Sequence, residues 1–218
     1  MDTTQLVHPD TIGAENPTRP NTVNGSNEPL YDNLVYASAG QQSLSFFQRG
    51  FNAAPNLYGD TNMDTGGQLT TGTKFRVMGI ECQFFSGLPV AAGAGAPAGA
   101  VKLQYIDDLL AAIQTGWLEI YINGTVLQSR IPLILLPPTT GVAGLAALSD
   151  STTPGATQRS SLVYGSLSGP AFEVPPFTLE PNTAFNFKVS WPGNGVALPS
   201  GVNGRIGIYL RGQKFRNA

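Results

Sequence analysis

Beyond residue 34 the chain repeatedly alternates apolar with polar positions at a period of two, the pattern of half-buried strands rather than of helices. The runs are Leu34 to Ala37, Ser43 to Gln48, Lys74 to Phe85, Trp117 to Leu133, Leu162 to Gly165, Ala171 to Val174, Phe177 to Glu180, Thr183 to Trp191 and Gly204 to Arg211. In the third run the inward phase is Phe75 and Val77, then Ile80, Cys82 and Phe84, so the alternation slips once. A bulge at Met78-Gly79 absorbs that slip, because glycine accepts the backbone angles a bulge needs. Phe185, Phe187, Val189 and Trp191 share one face of a late strand. Ile206, Ile208 and Leu210 share one face of the last, with Arg205, Tyr209 and Arg211 opposite.

The strongest local signal is Asn123-Gly124, flanked on both sides by alternating residues. Both positions accept positive φ, so a type I′ turn and a hairpin follow. A two-residue turn pairs Ile122 with Thr125, Ile120 with Leu127 and Leu118 with Ser129. Pro137-Pro138 then ends the pairing.

One segment breaks the period of two. In Tyr105 to Gln114, Ile106, Leu109, Leu110 and Ile113 recur at helical spacing and Gly116 can close the helix. Its Asp107-Asp108 pair diverges by about 100° around the axis and so cannot converge on one atom; it suits the positive end of the helix dipole.

Outside these runs the chain is turn and loop. Residues 1–30 have prolines, few large apolar side chains and no period, and read as an extended N-terminal arm that orders only against something else. Residues 31–218 form the domain. Pro89 to Ala100 and residues 138–160 are small-residue loops.

Composition narrows the class. The 218 residues carry 26 glycines and 17 prolines, and only 12% are charged, against about 25% in an average soluble domain. With 41% hydrophobic residues the chain still builds a core, and breakers at this density favour an all-β domain with long loops. The net charge of −2 provides no general basic field for nucleic acid. Arg205, Arg211, Lys214 and Arg216 nevertheless cluster near the end of the sequence, so contact with a genome, a membrane surface or an acidic partner falls to Arg211, Lys214 and Arg216.

The residue inventory excludes several chemistries. A lone cysteine, Cys82, forms no internal disulfide and no thiolate cluster, and its place in an apolar strand makes it a small core residue. A lone histidine, His8, leaves no histidine-based triad or multi-histidine metal site. The expectation is also of no signal peptide and no membrane-spanning helix, with the sequons at Asn24 and Asn123 arising by chance. No nucleotide-binding, zinc-protease or serine-hydrolase motif occurs, and no cofactor is implied. Glu81, Glu119, Glu173 and Glu180 lie on or near strands, where isolated glutamates usually face water; a hydrolase would depend on Glu119 or Glu173. Trp117, Tyr121 and Tyr209 could stack on sugar rings, although packing is the commoner fate of such rings.

One stretch imitates a calcium loop. Asp60, Asn62 and Asp64 space three oxygen-bearing side chains two residues apart, which makes them candidate ligands for a hard cation. Thr65 and Thr71 stand where such a loop requires glycine and a bidentate glutamate. The stretch therefore reads as a polar turn, its side chains capping turn amides on the way into the first long strand.

About eight antiparallel strands, one short helix after the third, long loops and an arm describe a single jelly-roll β-sandwich. The order and spacing of TNMDTGGQLTTGTKFRVMGIECQFF, LEIYINGTVLQSRIPLILLPP, FEVPPFTLEPNTAFNFKVSWPG and RIGIYLRGQKFR across residues 43–216 resemble the jelly-roll structural (capsid) proteins of icosahedral bacteriophages. The resemblance implies a non-enzymatic virion component, packed against copies of itself and other virion proteins through edges, loops and the arm, and located in the virion. The arm holds Asp2, Asp10, Glu15 and Glu28 against Arg19 alone, unlike the basic arms of many small-virus shells, which leaves genome or internal-membrane contact peripheral. The alternative is a glycan- or receptor-binding β-sandwich of a spike or fibre.

Overall fold

Alternation along the chain becomes pairing between distant strands. The computed structural model describes residues 23–51, 60–85, 104–136 and 172–217. Along these lie the strands β1 (Val23–Ser26), β2 (Leu30–Tyr36), β3 (Ser43–Phe46), β4 (Thr73–Phe85), β5 (Trp117–Ile122), β6 (Thr125–Pro132), β7 (Phe172–Leu179), β8 (Phe185–Ser190) and β9 (Gly204–Asn217). Helix α1 (Gln104–Thr115) separates β4 from β5, and a 3₁₀ turn (Leu133–Leu135) follows β6. The run Leu162 to Gly165, the loops 89–100 and 138–160, and residues 1–22 of the arm lie outside the described residues.

Two antiparallel sheets result. One is ordered β2-β9-β4-β7, with β1 continuing the β2 side of β9; the other is ordered β3-β8-β5-β6. Each strand pairs with its mirror image about the β5–β6 turn: β5 with β6, β4 with β7, β3 with β8, β2 with β9. The chain is thus one long hairpin folded over, with its strand pairs assigned to the two sheets in turn. That is the jelly roll expected from the pattern.

The core lies between the sheets. Phe75, Val77, Ile80, Cys82 and Phe84 of β4, Phe185, Phe187 and Val189 of β8, and Ile206, Ile208 and Leu210 of β9 are all buried, as their phases require. Phe47 contacts Phe185 and Phe187 at ring-centroid distances of 5.9 and 5.2 Å, and such aromatic pairs contribute about 0.5–1.5 kcal/mol beyond area burial. The Cys82 thiol is fully enclosed, and burial pushes its pKa up, so it is an inert core group.

The bulge at Met78-Gly79 is present, shifting β4 against both neighbours. Opposite it, a Cβ on Gly212 would lie 1.8 Å from the Arg76 carbonyl oxygen, so the strand can cross there only without a side chain. Met78, the extra residue, is exposed.

Four sequence readings change. First, the last part of the arm segment carries β1, which pairs Val23 to Ser26 with Asn217 to Lys214, and Leu30 already begins β2. Those partners lie near the other end of the chain, so no local pattern announces them. Second, the runs read separately from Ala171 and from Phe177 fall on one strand, β7 (Phe172–Leu179), Ala171 itself lying outside the described residues. Pro175 and Pro176 fall beside the β4 bulge on an edge strand, where a missing N–H costs no ladder bond.

Third, the hairpin turn forms, with Asn123 and Gly124 at φ 50° and 72°, and Ile122 meets Thr125. Beyond the tip, however, Ile120 pairs with Gln128 and Leu118 with Ile131. Two bulges, the second at Arg130 with φ 56°, turn Leu127 out and bring Ile131 into the core. The turn sets register only near itself; further along, burying an isoleucine outweighs an unbroken ladder. Fourth, Asp107 lies in the first turn of α1, but the buried Asp108 accepts a hydrogen bond from the Ser200 amide at 2.8 Å and so ties the helix to a loop. The other end of α1 is held by Trp191 Nε1, which donates to the Ala112 carbonyl at 2.8 Å.

Candidate functional site

The stretch proposed as a cation loop instead covers a sheet edge. Asp60 to Asn62 runs beside β2: the Asn33 amide donates to Asp60 O at 2.8 Å, and Thr61 bridges Asp32. Asn62 Oδ1 accepts from the Tyr31 amide at 2.9 Å, while its Nδ2 donates to Pro29 O at 2.7 Å. The Asp60 carboxylate is committed to the Arg205 guanidinium, and Asp64 is exposed. Asp60, Asn62 and Asp64 therefore do not pool free oxygens. No cluster of three or more histidine, cysteine, aspartate or glutamate side chains suited to a metal occurs among the described residues. Thr61 Oγ1 caps the Met63 amide within the turn at 3.2 Å, as expected of a polar turn, while Asn62 reaches across to Pro29 and Tyr31.

The C-terminal cations are also engaged with carboxylates. Arg211 Nε donates to Glu81 Oε1 at 2.6 Å, and Lys214 Nζ lies 3.4 Å from Glu28 Oε2; Arg216 is exposed. Glu81 has no exposed side-chain surface, so Arg211 compensates a buried charge that would otherwise be costly. Lys214 is itself buried. Of the three proposed contact residues, Lys214 is enclosed, whereas Arg216 and much of the Arg211 side chain remain open to solvent.

The acidic and aromatic candidates are distributed over different surfaces. Glu119 follows the inward Leu118 on one sheet and Glu173 precedes the inward Val174 on the other, so the two glutamates face out from opposite sides of a sandwich about 10 Å thick. They cannot flank one scissile bond. Tyr121 and Trp117 share the outer face of the sheet containing β5. Tyr209 lies on the other sheet, stacked on Tyr31 at 5.7 Å and donating to Asn33 Oδ1 at 3.1 Å. Burial pushes the Tyr209 phenol up, partly offset by that hydrogen bond. Glu180 pairs with Lys74 at 3.3 Å.

Two features escaped sequence reasoning. One is Asp32, which occupies an inward position of β2 between Leu30 and Leu34 and is fully buried. Its Oδ2 accepts from the Phe47 amide at 2.5 Å, while Oδ1 has no hydrogen-bond partner. Burial pushes this carboxyl up to about 7; the Asp60 charge adds to the rise, and the Phe47 and Asn33 amides and Arg49 oppose it. The period of two running through Leu30, Leu34 and Tyr36 was the available signal, hidden because an acid interrupts the apolar phase.

The other is an open cleft of about 330 Å³ on the outer face of the β3-β8-β5-β6 sheet. Gln48, Gln68, Tyr121 and Asn186 line it together with the backbone of Gly66, Gly67 and Gly124. Gly66 permits the approach, since a Cβ there would meet the Gln48 carbonyl oxygen at 2.3 Å. The lining comes from four separate stretches of chain, so no sequence motif marks it.

Three edge strands, β2, β7 and β6, share a character. The Asp60 segment covers β2, two prolines interrupt β7, and two bulges distort β6. Such devices discourage continuous ladder extension by another chain. Exposed apolar side chains remain along the β6 margin: Val126 and Leu127 near the hairpin tip, Ile134 and Leu135 beyond the far end. No family model matches the chain, and no curated protein matches it in sequence.

Proposed function

We propose that this protein is a structural virion component, a shell subunit that acts by packing against copies of itself. The observation that carries this reading is the strand order, β2-β9-β4-β7 facing β3-β8-β5-β6, an architecture recurrent in viral shells. The disposition of charge supports it. Arg205, Arg211 and Lys214 each face a carboxylate within the same chain, leaving a surface poor in free charge that can approach a neighbour without burying unpaired ions. The contacts fall to side chains on the β6 margin, because the bulged β6 edge itself resists ladder extension.

Sedimentation velocity and particle imaging of the purified chain over a wide concentration range test this reading. The expected result is closed particles or symmetric ring-like oligomers, weakened by Leu127→Glu or Leu135→Glu. A monomer that persists at every concentration, alone and with the other proteins of its particle, would overturn it.

A further inference from the structure

We infer that the cleft between β5, β8 and the loop 66–68 is a binding site for a neutral carbohydrate. Its volume, about 330 Å³, lies at the lower end of the range for small-ligand pockets and accommodates one or two sugar rings in an open groove. No charged side chain is among its lining residues, which disfavours phosphate, sulfate and sialic acid as ligands.

Two of the lining amides, Gln48 and Asn186, have their donor ends already engaged. Gln48 Nε2 donates to the Phe185 and Phe46 carbonyls at 2.8 and 3.2 Å, so its Oε1 is the end left to accept. Asn186 Nδ2 donates to Ser45 Oγ at 3.4 Å, and Asn186 Oδ1 is buried without a hydrogen-bond partner. A cleft whose side chains present carbonyl acceptors favours a ligand rich in hydroxyl donors. An acceptor buried without a partner costs free energy that a small turn of its side chain toward a ligand hydroxyl would recover.

Tyr121 supplies the apolar component. It pairs directly with Asn186 across β5 and β8, and its hydroxyl donates to Glu119 Oε2 at 3.1 Å, which restrains the ring before any ligand arrives. Desolvation and the neighbouring Glu119 carboxylate hold the phenol above its usual pKa, so it remains a neutral donor over the physiological range. A restrained aromatic ring beside paired amides suits the C–H face and vicinal hydroxyls of a pyranose. Gly66, Gly67 and Gly124 contribute wall without side chains, so backbone lies close to the ligand. On a shell subunit such a cleft would serve attachment to a surface glycan. The inference does not depend on the shell reading, because it concerns the chain's own cleft.

The test is amide chemical-shift mapping of the full chain titrated with neutral disaccharides (maltose, lactose, cellobiose) and, separately, with sialyllactose. The expected result is saturable shifts with at least one neutral sugar at millimolar concentration, confined to residues near 48, 66–68, 121–124 and 184–186. Tyr121→Ala should weaken binding at least tenfold, whereas Tyr121→Phe should keep most of it. Should Tyr121→Ala fail to fold, Gln68→Ala gives the same comparison with a smaller expected loss. Shifts that map elsewhere, a requirement for sialic acid, or no saturable shift with any neutral sugar would each overturn the inference.

Discussion

Replacing Asp32 by asparagine isolates a carboxyl that the fold encloses on an inward position of β2. In the folded protein burial raises its pKa from 3.8 to about 7, while the unfolded chain keeps the lower value. Between these two values the folded state holds a proton that the unfolded state has lost. Stability from this group is therefore complete below about pH 4, declines as pH rises through the interval, and is level above about pH 7. A shift of roughly three units at about 1.4 kcal/mol each amounts to about 4 kcal/mol. No reduction for solvent screening applies, because the residue is fully buried. Asparagine keeps the acceptor for the Phe47 amide but places an N–H₂ where Oδ1 now lacks a partner, a pH-independent cost of about 1–3 kcal/mol. Asp32→Asn should thus be less stable than the native protein at pH 4 and more stable at pH 8. Urea unfolding followed by the fluorescence of Trp117 and Trp191 at half-unit pH steps measures both proteins. Other carboxylates titrate in both, so the difference between them carries the information. A difference that varies by less than about 1 kcal/mol from pH 4 to pH 8 would show that Asp32 ionises freely, and would refute the assignment.

Further outcomes follow from single contacts. Arg211→Met leaves the buried Glu81 without this partner and should cost about 2 kcal/mol in urea unfolding, a loss that persists at high salt because Glu81 is shielded from solvent. Gly212→Ala drives a methyl into the Arg76 carbonyl at the β4 bulge and should cost about 3 kcal/mol or prevent soluble expression; a melting temperature unchanged from the native protein would contradict the register found there. Trp191→Phe removes the bond to the Ala112 carbonyl and should cost about 1–2 kcal/mol, with faster hydrogen exchange concentrated in α1.

Much of the fold was legible along the chain. The inward phases of β4, β8 and β9, the helix at Gln104–Thr115, the Asn123-Gly124 turn and the slip at Met78-Gly79 all follow from local rules: a period of two or of 3.6, and the glycine or asparagine that a special φ demands. The class of fold follows from how these runs are ordered and spaced.

What the chain could not express by itself are relations between residues far apart in sequence. The pairing of β1 with the end of β9, the exchange of Leu127 for Ile131, and the partners of Arg205, Arg211 and Lys214 depend on which surfaces meet once two sheets have closed on each other. The same holds for the candidate sites. Three regularly spaced oxygen ligands at Asp60, Asn62 and Asp64 look like a cation loop until folding commits Asp60 to Arg205 of β9 and Asn62 to the backbone of Pro29 and Tyr31, whereas the amides of Gln48, Gln68 and Asn186 have no significance until folding brings them around Tyr121. Side-chain periodicity is a property of neighbours along the backbone and is written into the sequence. Hydrogen-bond satisfaction and charge compensation belong to neighbours in space, and only the closed sandwich assigns them.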